Sequence, residues 1–281
     1  MGSATRCFAA SQKEIRPSSS ASSHSGTDDE VSFTPMPEVA ILLLAACGTA
    51  LATGLGAVPV FMLGSRAAAL APTLLGFAAG VMGVAAFAGL LIPASEEGAT
   101  AEVVVGLAVG IAFLVLARRR FSPDTGFMGR TGPGARTSAL VFLVLFVHSL
   151  PEGFAIGTAF ASDRAGLSLF VILAIAIQNV PEGTSVAIPM AEAGFGPARQ
   201  FWAAVATSAP QPVGALIAFL AVEEIGGLLP LSFAFAAGAM LALIAAEMLP
   251  GAFAGHERAR PAAGIAAGAA LMLALSLLLG V

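Results

Sequence analysis

Two six-residue phrases carry side chains that can bind a metal ion: His148-Ser149-Leu150-Pro151-Glu152-Gly153 and, thirty positions on, Gln178-Asn179-Val180-Pro181-Glu182-Gly183. His148 and Glu152 are four apart, as are Gln178 and Glu182, so on helices each pair shares one face. Two such helices facing each other present an imidazole, an amide oxygen and two carboxylates to one point. That mixture suits a borderline divalent cation such as Zn²⁺. Ionised Glu152 and Glu182 carry a charge of −2, which one divalent cation neutralises. Ligands must be deprotonated to bind, so metal binding is expected to displace protons. Pro151 and Pro181 lack an N–H, so the carbonyls of Val147 and Ile177 lose their usual helical donors. A kink that opens each helix beside the site is expected there.

The elements that must position these residues are membrane helices. The chain has 281 residues, of which 57% are hydrophobic and 11% charged, and its mean hydropathy is +0.90. Soluble domains carry about 25% charged residues. A single lysine, no tyrosine and 32 glycines fit close-packed helices in lipid. Eight apolar segments, at 38–63, 72–95, 99–118, 138–161, 166–191, 199–222, 227–250 and 261–281, are each near the ~20 residues needed to span a bilayer. They lack the alternation of a barrel strand, so an all-α integral membrane bundle of eight transmembrane helices is expected over 37–281. A carboxylate at bilayer depth is costly, so Glu152 and Glu182 point to function.

Residues 1–36 are polar and serine-rich and are expected to be a disordered tail. Their Arg/Ser bias also fits a transit peptide less well. With the N-terminus outside, the inward connections hold nine arginines (66, 118, 119, 120, 130, 136, 199, 258 and 260), against Arg164 alone outside. The positive-inside rule therefore places both termini outside. The Gly/Pro/Arg-rich stretch 119–137 reads as a flexible cytoplasmic connector. Cys7 lies in the tail, and Cys47 reads as a small packing residue, so no disulfide framework is expected.

The paired phrases resemble the fourth and fifth helices of the ZIP (Zrt-, Irt-like protein) divalent-metal transporters, in particular the bacterial GufA-like branch. Weaker matches are Thr53-Gly54-Leu55-Gly56-Ala57-Val58-Pro59, Gly76-Phe77-Ala78-Ala79-Gly80-Val81-Met82, Ala237-Gly238-Ala239-Met240 and Glu247-Met248-Leu249-Pro250. The resemblance implies an eight-helix carrier, a homodimer, with His148, Glu152, Gln178 and Glu182 as metal ligands and Met82 as a thioether ligand. Many members of that family bind two metals. Their second site uses an Asn after the first His and a Glu in the sixth helix, where this chain has Ser149 and Gln211. Asn179 is retained. Two Zn²⁺ would bring +4 against −2, an uncompensated charge in a low-dielectric site, so one metal is expected. Glu247 matches a carboxylate of the family's seventh helix and is a candidate relay toward the exit. Glu96 and Glu97 would stand at the outer mouth, while His256 and Glu257 lie in the last inner loop.

These readings imply a secondary importer of Zn²⁺, with Fe²⁺, Mn²⁺ or Cd²⁺ as other cargoes, in a multi-pass protein of the bacterial inner (plasma) membrane. A metal-selective channel through the same site and a non-transporting sensor are the competing readings. No prosthetic group is expected, and no enzyme. The three histidines, at 24, 148 and 256, form no His-Glu-x-x-His motif. No basic face suits nucleic acid.

Overall fold

The computed structural model describes residues 38–120, 127–164, 166–225 and 227–281. The tail expected over 1–36, with Cys7, lies outside the described residues, as does 121–126 of the connector. Among the described residues eight helices are long and apolar enough to cross a membrane: α1 (Glu38–Leu63), α2 (Arg66–Glu97), α3 (Thr100–Arg119), α4 (Pro133–Phe160), α5 (Leu167–Glu192), α6 (Pro197–Glu224), α7 (Leu229–Ala252) and α8 (Ala259–Leu279). They match the eight apolar segments. The largest differences are at the starts of α2 and α4, where a first turn of small or polar residues carries too little hydropathy to read as helix. In α4, Thr137 and Ser138 donate back to the carbonyls of Pro133 and Gly134, which ties that turn to the helix.

α5 is the most enclosed of the eight, and α3 and α8 are the least. α4 packs on α6, α1 on α5, α2 on α8 and α3 on α7, while α5 also contacts α2 and α4. The site-bearing pair α4–α5 therefore sits at the middle of the bundle. Both helices continue as α-helix through Pro151 and Pro181. The irregular turns lie elsewhere. π-Helical stretches Ala85–Leu91 in α2 and Ile244–Met248 in α7 contain the carbonyls four residues before Pro93 and Pro250. A proline neither donates to that carbonyl nor leaves it room, and a wider turn relieves the clash.

The glycines of the paired phrases set how closely α4 and α5 meet their neighbours. A Cβ on Gly183 would stand 1.7 Å from the carbonyl oxygen of Thr53 in α1, and one on Gly56 would stand 2.0 Å from that of Val180 in α5. Likewise, Gly153 faces the Gln211 carbonyl of α6 at 2.2 Å, and Gly214 faces that of Leu150 at 2.4 Å. Each phrase thus delivers a glutamate and, one residue later, a seat for a neighbouring backbone.

Three expectations need correction. Cys47 is exposed on the outer face of α1 and is not a core packing residue. The described half of the connector is pinned: Phe127 and Arg130 exchange backbone hydrogen bonds. Arg130 Nη1 also donates to the Ala193 carbonyl at 2.6 Å, and its guanidinium lies 4.8 Å from the Phe195 ring centre. Glu96 and Glu97 are paired, because Arg164, between α4 and α5, donates to both at 2.6 Å. Those bonds, to Glu97 first and then Glu96, raise the guanidinium pKa. The cluster is exposed, so Arg164→Ala is expected to change unfolding stability by less than about 1 kcal/mol, measured by thermal denaturation in detergent.

Candidate metal centre

His148 and Glu152 occupy successive turns of α4, and Glu182 projects from α5. All three are buried, and ligand atoms of the three lie within 4.8 Å of one another. His148 Nε2 is 3.5 Å from Glu152 Oε1 and 3.4 Å from Glu182 Oε2. The other ring nitrogen, Nδ1, lies 3.3 Å from the Val144 carbonyl. A carbonyl only accepts, so Nδ1 carries a proton, and Nε2 is the ring atom turned toward the two carboxylates, where it can ligate once deprotonated. A backbone carbonyl behind the ring is the usual way of orienting a ligating histidine.

Three buried polar atoms of this group have no hydrogen-bond partner: His148 Nε2, Glu182 Oε1 and Gln178 Oε1. An unpaired buried polar atom costs about 1–3 kcal/mol, and three belonging to one cluster demand an account. A divalent cation held by the His/Glu/Glu group supplies one for His148 Nε2 and Glu182 Oε1, since it takes lone pairs from imidazole and carboxylate alike.

Glu152 is provided for differently. Gln178 Nε2 donates to its Oε1 and Gln211 Nε2 to its Oε2, each at 2.5 Å. The expected amide oxygen of Gln178 is thus replaced at Glu152 by the amide nitrogen, because a buried carboxylate draws donors. For Gln178 to serve as a ligand its amide must turn over. Gln211 is held in turn: its Oε1 accepts from Thr49 Oγ1 at 2.9 Å and from Asn179 Nδ2 at 3.3 Å. Asn179 Nδ2 also donates to the Thr49 carbonyl at 2.7 Å. Four helices, α1, α4, α5 and α6, therefore converge on one carboxylate. Ser149 is buried and donates to the Leu145 carbonyl of its own helix at 2.8 Å.

The remaining candidates lie on other helices or in the last inner loop. Met82 is fully buried in the main hydrophobic cluster, on α2, which packs against α5. Glu247 lies in the π turn of α7, and its Oε1 is 2.6 Å from Arg118 Nε. That pair and Glu182 line one cavity of about 460 Å³. Glu257 pairs with Arg260 at 2.7 Å, and His256 is exposed. Sequence reasoning missed Thr49 and Arg118. The repeated glycine of the two phrases was the available signal for close helix contact, but nothing local in the sequence pairs Thr49 with Gln211 or Arg118 with Glu247.

A family model described as ZIP Zinc transporter matches residues 130–276. The zinc transporter GufA of Myxococcus xanthus is 34% identical over 250 residues, covering 85% of this chain and 98% of that protein. The zinc transporter ZIPB of Bordetella bronchiseptica is 32% identical over 244 residues, covering 82% and 78%. A putative zinc transporter of Arabidopsis thaliana is 35% identical over 256 residues, and this chain spans only 40% of its length. With the eight apolar helices, these similarities show that the chain is a multi-pass membrane protein and belongs to the ZIP zinc transporter family.

Proposed function

We propose that this protein is a secondary transporter that imports Zn²⁺ into the cytosol through a single-ion site formed by His148, Glu152, Gln178 and Glu182, with Met82 as an additional thioether ligand. The observation that carries the reading is the set of partnerless buried atoms at a His/Glu/Glu cluster midway along an apolar bundle. Relatives named as zinc transporters support the cargo, and the imidazole and carboxylate donors suit it. The membrane of this proposal is a bacterial inner membrane, and the distribution of arginines supports both termini outside, with the Arg118 end of the cavity facing the cytosol. Alternating access around a midplane site needs no nucleotide. Uptake of ⁶⁵Zn into proteoliposomes tests the proposal. Wild type is expected to accumulate label above empty vesicles and His148→Ala is not. Tight binding without flux would make the protein a sensor.

The side chains around Glu152 support a single ion. The positions that would complete a second site are engaged otherwise: Ser149 bonds its own helix, and Gln211 points its amide nitrogen at Glu152. An amide nitrogen is a donor and cannot ligate a cation, and the Gln211 oxygen is tied to Thr49 and Asn179, whereas the Gln178 oxygen has no partner to lose if its amide turns over. Saturated wild type is therefore expected to hold one Zn²⁺ per chain by plasma mass spectrometry. The double variant Ser149→Asn, Gln211→Glu is expected to hold close to two. A wild-type ratio of two would overturn the single-ion reading.

A further inference from the structure

The cavity that reaches Glu182 has aliphatic walls, including Leu114, Val144, Val147 and Leu243. Its polar lining side chains among the described residues are Glu182, Ser185, Arg118 and Glu247. A divalent cation leaving Glu182 through this space meets one further carboxylate, Glu247. In low-dielectric surroundings an unpaired carboxylate attracts such a cation strongly. Glu247 is not unpaired. Arg118 Nε sits 2.6 Å from its Oε1, and both side chains are only partly exposed. The partners are fixed by their helices: a Cβ on Gly110 of α3 would stand 2.0 Å from the Phe235 carbonyl of α7, so the two backbones touch. Glu247 itself lies in the π turn Ile244–Met248, a local widening of the kind found at functional positions.

We propose that Arg118 is a masking residue on the release path. Its guanidinium holds Glu247 in a neutral pair, so that the cavity passes a divalent cation on from Glu182 without offering it a second resting place. This rests on the reading that Glu182 is a transport ligand and that the cavity is its way out. It gives Glu247 a different part from the relay toward the exit expected of it. Arg118 acts through Glu247 and touches no cargo in this scheme.

The test is equilibrium ⁶⁵Zn binding to purified full-length protein, with proteoliposome uptake measured beside it. Arg118→Gln is expected to bind about one more Zn²⁺ per chain than wild type and to turn over several-fold more slowly, because the freed Glu247 now holds the ion. The extra ion is expected to disappear in Arg118→Gln/Glu247→Gln, which also guards against a loss of fold in the single variant. Arg118→Lys, which keeps the positive charge, is expected to bind as wild type does. Unchanged stoichiometry in Arg118→Gln, or an extra ion that survives the Glu247→Gln change, would overturn the masking role. Failure of the underlying transport reading is read separately, as uptake that His148→Ala leaves intact.

Discussion

Glu182→Ala is expected to lower ⁶⁵Zn uptake by about 100-fold or more while leaving the fold as stable as wild type or slightly more so. Loss of a group that only orients a metal ligand costs about 10–100-fold, so loss of a ligand should cost at least as much. The stability half of the expectation comes from the geometry. Glu182 Oε1 has no hydrogen-bond partner, and Oε2 has only His148 at 3.4 Å. Removing a buried, poorly satisfied carboxylate relieves a desolvation cost, which offsets the lost His148 contact and the cavity left behind. Glu152 should behave in the opposite way. It accepts from both Gln178 and Gln211, and Glu152→Ala leaves both amides without an acceptor, at about 1–3 kcal/mol each. Uptake is lost in both variants, but only Glu152→Ala is expected to unfold earlier in a thermal scan. Equal destabilisation of the two would show that the unequal hydrogen bonding of the two carboxylates has no energetic meaning.

Gly183→Ala is expected to be the most damaging conservative substitution near the site. Its Cβ would stand 1.7 Å from the Thr53 carbonyl, a backbone atom that cannot swing aside. Relief requires α1 and α5 to separate. Overpacking of this kind costs about 1–3 kcal/mol, occasionally more, and the upper end applies where the obstacle is backbone. Separation would also strain the bonds that join these helices, Thr184 Oγ1 to the Gly56 carbonyl at 2.7 Å and Asn179 Nδ2 to the Thr49 carbonyl at 2.7 Å. The second leads directly to Gln211 and Glu152, so zinc affinity should fall with stability. Gly48→Ala is the control. Gly48 is exposed on the same helix as Thr53, with nothing within 4 Å of its Cβ position, and the change should be neutral or favour the helix by up to about 1 kcal/mol. Thermal unfolding by size-exclusion chromatography separates the two. Indistinguishable midpoints would contradict the close contact of α1 and α5.

Much of this architecture is legible in the chain before folding. The eight apolar runs predict the eight helices because spanning length and hydropathy are local properties. The i,i+4 spacing of His148 with Glu152 places both on one face for the same reason, and they are found together. What the sequence hides depends on which helices become neighbours. Thr49 and Gln211 lie 162 positions apart, and no periodicity relates them. The role of Gly183 is invisible until α1 is laid against it. The π turns that precede Pro93 and Pro250 were not foreseen, because the sequence drew attention to the prolines beside the carboxylates, Pro151 and Pro181. The Gln178 amide turns its nitrogen to Glu152, since side-chain orientation follows the donors and acceptors that tertiary contacts supply.

Whether one zinc ion is held between α4 and α5 by His148, Glu152 and Glu182 is decided by crystals of the wild-type protein grown with Zn²⁺, with data collected on both sides of the zinc absorption edge. A single full-occupancy anomalous peak is expected within bonding distance of His148 Nε2 and carboxylate oxygens of Glu152 and Glu182. A full-occupancy peak that avoids these atoms, or two such peaks side by side, would contradict it.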